Sequence, residues 1–128
     1  MITKNNKDIV SSEKKLAICY EALNDKKGFD IVAKDLRGYT DIADFFLIAS
    51  ANSTIQASIL IDAVEAKLRL LNVKEYHIEG RANGRWILLD GSDIVIHVFL
   101  KEARDYYDLD SHWLEVKDCD ISNLDSNG

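Results

Sequence analysis

The chain of 128 residues contains no proline. Its turns must therefore be made by Gly, Asn, Asp and Ser, without a residue that pre-sets φ. Cysteine is nearly absent too. Cys19 and Cys119 are the only two, and no CxxC or Cys/His cluster accompanies them. Neither a disulfide framework nor a thiolate zinc site is indicated, and a reducing compartment is the expectation. No apolar run approaches the roughly 20 residues that span a bilayer. Met1 to Val10 have neither the apolar stretch of a signal peptide nor the arginine-rich composition of a transit peptide. A cytoplasmic protein without a membrane role is expected. Positive charge is in deficit, with 16 Lys+Arg against 22 Asp+Glu and a net charge of −6. That opposes grip on a nucleic-acid backbone at long range, so no direct sequence-specific nucleic-acid binding is expected. An acidic surface suits a basic partner. There is no P-loop and no GxGxxG.

What is present suits one globular domain: 47% of the residues are hydrophobic and 30% charged. The domain is expected over residues 1–117, with residues 118–128 as a polar tail. Ser12 to Lys26 reads as a helix, because Leu16, Cys19, Tyr20 and Leu23 fall on one face of a 3.6-residue period, with Gly28 as its stop. Phe29 to Leu36 reads as a strand. Phe45 to Ala49 is a continuous apolar run, suited to a strand buried on both faces. Ser53 and Gln56 form an S-x-x-Q capping box. Behind it Ala57, Leu60, Ile61, Val64, Leu68 and Leu71 make one helical stripe, ending near Asn72, with Glu65 and Arg69 paired on the wet side.

Three short strands follow, Tyr76 to Arg81, Arg85 to Asp90 and Asp93 to Leu100. Asn83-Gly84 suits a type I′ turn and Gly91-Ser92 a type II′ turn, giving an antiparallel meander. Two-residue loops would set Asp90 opposite Asp93, Trp86 opposite His97 and Arg81 opposite Trp86. Alternation then gives one apolar face with Ile78, Ile87, Leu89, Ile94, Ile96 and Val98. The other carries His77, Glu79, Arg81, Trp86, Leu88, Asp90, Asp93, Val95, His97 and Phe99. That second face mixes aromatics with charges, the composition of a protein-binding hot spot. Equally, Trp86 can pack under the C-terminal segment. The pattern alone leaves both open. Ala103 to Leu109 reads as one or two helical turns.

The chemistry-bearing residues are sparse. His97 has no nucleophile beside it, since Ser92 lies at the hairpin tip. Gly91-Ser92-Asp93 resembles the Gly-Ser motif of nucleotidyltransferases, which also need a second carboxylate two residues away on a strand to hold magnesium. After Asp93 the strand reads Ile94-Val95-Ile96-His97, without one. Asp108-Leu109-Asp110 has the spacing but sits in an expected helix, where i and i+2 diverge. A magnesium-dependent nucleotidyltransferase is therefore the minor alternative. No metal site and no cofactor are assigned.

From Leu23 to Trp113 the chain resembles the Iojap-like ribosomal silencing factors. The matching pieces are Asp30-Ile31-Val32, Asp35-Leu36-Arg37-Gly38, Ile42 to Ala49, Glu79-Gly80, Gly84 to Asp90, Asp93 to Phe99, and Arg104-Asp105-Tyr106-Tyr107-Asp108-Leu109 with Trp113. Their order and spacing together are specific. His112 departs from the pattern, where an apolar residue is expected. The resemblance implies an α/β (α+β) fold, a mixed five-stranded sheet with two main helices, related to nucleotidyltransferases but lacking their carboxylate pair. It implies no enzymatic activity. It implies a translational repressor that binds the fourteenth protein of the large ribosomal subunit, blocks joining with the small subunit and acts under nutrient limitation. A homodimer is compatible with it. By this analogy the partner-binding residues are Glu79, Arg81, Trp86, Asp90, Asp93, His97, Arg104, Tyr106 and Tyr107. Trp86 and Tyr107 would be anchors, and Glu79, Asp90 and Asp93 would meet basic side chains. His97 and Arg104 would orient neighbours. Arg104, Tyr106 and Trp113 can also be read as simply packing the C-terminal turn.

Overall fold

A computed structural model describes residues 10–121. Helix α1 spans Ser12–Asp25, strand β1 Phe29–Asp35, β2 Phe45–Ala51, helix α2 Thr54–Leu70, β3 His77–Glu79, β4 Trp86–Asp90 and β5 Ile94–Leu100. Two short helices follow, α3 at Lys101–Tyr107 and α4 at Leu109–His112. The sheet order is β1-β2-β5-β4-β3. Only β2 and β5 run parallel, and the other neighbours are antiparallel. This is the mixed five-stranded α+β sheet expected.

The two central strands are buried along their whole length, on both faces. On one face Phe45, Leu47, Ile94, Ile96, Ile87 and Leu89 meet Leu16 and Leu23 of α1 and Leu60, Ile61 and Val64 of α2. Ser11 caps α1, its Oγ accepting from Lys14 N at 3.1 Å. At α2 the Ser53 Oγ accepts from Gln56 N at 3.0 Å. Gln56 Oε1 returns to the amide of Asn52, one residue earlier than in a regular capping box, and its Nε2 donates to Lys27 O at 2.9 Å. One side chain thus caps α2 and ties it to the end of α1.

The opposite face has a smaller cover. Leu36, Ala43, Phe46, Val95 and Val116 form a second cluster, flanked by Leu88 and Trp113. The half of the meander's second face that lies on β5 is therefore closed: Val95, His97 and Phe99 are all buried. The physical cause is the central position of β5, which has neighbours on both sides and the C-terminal segment above. Only the β3–β4 half remains open.

Both hairpins differ from their expected turns. Between β4 and β5, Asp90 pairs with Val95 rather than Asp93, so Trp86 faces Phe99 and Leu88 faces His97. Ser92, not Gly91, takes the left-handed conformation at φ 73°. Asp90 Oδ1 accepts from Ser92 N at 2.9 Å, an Asx turn that settles the loop two residues further on. A two-residue shift leaves the faces unchanged. Between β3 and β4 the expected register holds, with Glu79 opposite Leu88. The ladder stops there, because Gly80 turns the chain away at φ 85°.

The segment from Asp118, expected as the start of a polar tail, follows the outer edge of β1. Cys119 N–H donates to Ala33 O at 2.8 Å, and Lys34 pairs with Asp118. Residues 122–128 of the expected tail lie outside the described residues. No described helix is long and apolar enough to cross a membrane.

Candidate partner-docking site

Strand β4 begins at Trp86, and the register sets its indole against Phe99 of β5, stacked at 4.8 Å between centroids. The indole Nε1–H donates to His97 Nδ1 at 3.1 Å. On its outer side Tyr107 of α3 lies at 5.0 Å, and Tyr106 meets Tyr107 edge-on at 5.2 Å. Trp86 is half-buried, whereas Tyr106 and Tyr107 are 78% and 45% exposed. Amphipathic rings packed on one another and open to solvent on one side are the composition of a docking anchor.

His97 supports this cluster from beneath. Burial pushes its pKa down to about 4, against weaker opposing effects of Asp110 and Asp90. The ring is thus neutral at physiological pH, and since Nδ1 accepts from the indole, its proton sits on Nε2. Nε2 is buried and has no hydrogen-bond partner among the described residues. His97 is placed to hold Trp86 and is not an accessible contact residue.

Arg104 is likewise structural in its geometry. Its guanidinium holds both oxygens of Asp110 at 3.0 Å, Asp30 O at 2.6 Å and Ser50 Oγ at 2.9 Å. The Asp110 carboxyl is held below the usual range, chiefly by that hydrogen bond. Asp30 sits at a register shift of β1 with φ 49°. Arg104 therefore fastens the α3–α4 corner to the β1–β2 edge and fixes where Tyr106 and Tyr107 emerge.

Three expected contact residues lie elsewhere. Arg81 was expected beside Trp86, but the turn at Gly80 sends it to α2, where it binds Glu65 at 2.6 Å and Asp62 at 3.1 Å. Glu65 thus accepts both from Arg81 and from Tyr76 Oη at 2.8 Å. Asp93 belongs to the far end of the hairpin, where Lys15 Nζ reaches both its oxygens at 3.1 Å. Asp90 is exposed at the same end, four residues or about 13 Å along β4 from Trp86. The structure thus gathers Glu79, Trp86, Tyr106 and Tyr107, with His97 and Arg104 as supports. It separates Arg81, Asp90 and Asp93 from them.

Two participants were not among the assigned contact residues. Leu88, opposite Glu79, is half-buried next to Trp86, and Gly80 leaves a gap at the indole's flank. The glycine in Glu79-Gly80-Arg81 was the available signal, since glycine inside a strand pattern marks a bulge or a turn. Trp113 packs edge-on against Phe46 at 5.1 Å and Tyr39 at 6.2 Å, which is the packing role. Among the described residues no three His, Cys, Asp or Glu side chains come together to hold a metal ion. Burial raises the thiol of Cys19 to about 12 and also raises Cys119, so neither is a ready nucleophile.

A mixed sheet, helices on one face and aromatics clustered at the edge of the other describe a small α+β protein with an aromatic cluster partly open to solvent. The sequence pattern of the family described as "Ribosomal silencing factor during starvation" (RsfS) matches residues 9–127. The chain belongs to that family. A ribosomal silencing factor from Halalkalibacterium halodurans is 32% identical over 115 residues, covering 90% of this chain and 98% of that protein. The chloroplast protein Iojap of Zea mays is 30% identical over 96 residues, covering 73% of this chain and 40% of its own length. A crystal structure of a Chromobacterium violaceum protein superposes with a TM-score of 0.78 at 34% identity, covering 81% of this chain and 87% of that one.

Proposed function

We propose that this protein silences ribosomes by docking on the fourteenth protein of the large subunit, where its bulk prevents joining with the small subunit and lowers translation when nutrients are short. Docking is through the edge formed by β3, β4 and α3. The observation that carries this reading is the exposed cluster of Trp86, Tyr107 and Tyr106 on a chain of net charge −6. Aromatic anchors supply the affinity, and the acidic surface favours encounter with a basic ribosomal protein. The reading needs no turnover and no cofactor, because steric exclusion is enough. It places the protein in the cytoplasm with the ribosomes, and a homodimer in solution is compatible with it.

Sucrose-gradient sedimentation tests it. Added protein is expected to co-migrate with large subunits and to reduce the joined-ribosome peak. Unchanged profiles at saturating protein would overturn the reading.

A further inference from the structure

Where β3 leaves β4, the sheet is missing a side chain. In a continued ladder Arg81 would lie opposite Trp86 and cover the indole's flank. Gly80 prevents this: at φ 85° it takes the chain off the sheet, and a Cβ there would stand 2.1 Å from Trp86 O. Arg81 is then committed to Glu65 and Asp62 on α2. What remains is a depression of about 220 Å³ lined by Glu79, Gly80, Trp86 and Leu88. Its walls are an indole and an aliphatic side chain. Its only charge is the Glu79 carboxylate, whose side chain is 68% exposed. Oε2 of Glu79 meets His77 Nε2 at 3.0 Å, while Oε1 has no hydrogen-bond partner among the described residues.

We propose that this depression receives one long basic side chain, lysine or arginine, of the docking partner. Its methylene stem lies on Trp86 and Leu88, and its cationic head reaches the Glu79 carboxylate. The argument is complementarity on two counts. Long basic side chains are the ones that combine an apolar stem with a positive head, and they prefer apolar walls that end in polar surroundings. An acidic or neutral side chain would gain the apolar contact but would bring no positive charge to the open Oε1 of Glu79, inside a field of net charge −6. The diversion of Arg81 matters for the same reason, because a resident cation at this position would satisfy Glu79 from within.

This inference rests on the docking reading, but its first test does not. The full-length protein is titrated with n-butylguanidinium and n-butylammonium at constant ionic strength, with n-butanol and butyrate as controls. Proton–nitrogen NMR follows the Trp86 indole N–H and the Gly80 amide. Saturable shifts at both sites with the cations, and roughly three- to tenfold weaker binding to Glu79→Gln, are expected. Equal shifts with n-butanol, or equal binding by Glu79→Gln, would overturn the proposal. A second test compares wild type and Glu79→Gln for co-sedimentation with purified large subunits, where the variant is expected to lose affinity by a similar factor and some of its salt dependence. If wild type sediments and Glu79→Gln matches it, the pocket fails while docking stands. If wild type does not sediment, docking fails, and the alkyl-cation titration still decides the pocket.

Discussion

Trp86 donates its indole N–H to Nδ1 of His97 at 3.1 Å, diagonally across the β4–β5 ladder. The contact fixes two things at once. It sets the histidine tautomer, and it holds a half-buried ring in one orientation before any partner arrives, which lowers the ordering cost of binding.

The first consequence is a pH dependence. His97 titrates near 6.5 in an unfolded chain but is pushed down to about 4 by burial. Between these values the unfolded state binds a proton that the folded state does not. The His97 contribution to stability is therefore complete above about pH 6.5 and lost as pH falls towards 4, by on the order of 3 kcal/mol. Asp35 and Asp110, both lowered by arginine hydrogen bonds, add losses in the same direction at still lower pH. Urea titrations at pH 7.5, 5.5 and 4.5 should show this slope in wild type and a flatter one in His97→Gln. Parallel slopes for the two proteins would refute it.

Much of this arrangement was legible in the sequence, for physical reasons that differ by element. The period of two in β4 and β5 settled which residues share a face, and a two-residue register shift could not disturb it. The stripe from Ala57 to Leu68 marked α2 because its apolar spacing is helical. What stayed hidden were long-range relations. The number of layers over β5 depends on where residues 101–117 return, so His97 looked accessible and is buried. The partner of Asp93 is Lys15, 78 residues away, which no local spacing announces. The direction of Arg81 turned on one glycine read as part of a strand.

Arg104 supplies the second prediction. It is nearly buried, with 11% of its side chain exposed, and it satisfies two carbonyl or hydroxyl acceptors and one carboxylate. Arg104→Met would leave Asp110 unpaired and the Asp30 carbonyl without its donor. A loss of about 3 kcal/mol in denaturant unfolding is expected. Arg104→Lys should recover only part of it, since an ammonium cannot reproduce the fork that holds both Asp110 oxygens. Full recovery by lysine would show that charge alone matters.

Gly80 supplies the third. An alanine there meets both a left-handed φ and a backbone oxygen at 2.1 Å, so the β3–β4 turn must shift. Gly38 has a similar φ of 81° but nothing within 4 Å of an added Cβ. Gly38→Ala should cost about 1 kcal/mol, and Gly80→Ala at least twice that. Equal melting temperatures for the two variants would contradict the close approach seen at Trp86.

The last prediction separates the two ends of the hairpin by function. Trp86 lies in the aromatic cluster, whereas Asp93 is tied to Lys15 at the opposite end of β4–β5. If the cluster is the anchor, Trp86→Ala should weaken binding to purified large subunits by about 2 kcal/mol or more, because a half-buried aromatic at the centre of a contact carries a disproportionate share of the energy. Tyr106→Ala removes a ring that is mostly exposed and should retain its fold fully, so it controls for any loss of stability in Trp86→Ala. Its expected cost is about 1 kcal/mol. Asp93→Asn breaks an ion pair that is partly exposed and distant from the rings, and should leave binding within about twofold of wild type. Far-UV and near-UV circular dichroism checks that each variant is folded before its affinity is compared. Should Asp93→Asn weaken binding as much as Trp86→Ala, the contact would have to extend along the whole of β4, and the restriction of docking to the β3–β4–α3 edge would be wrong.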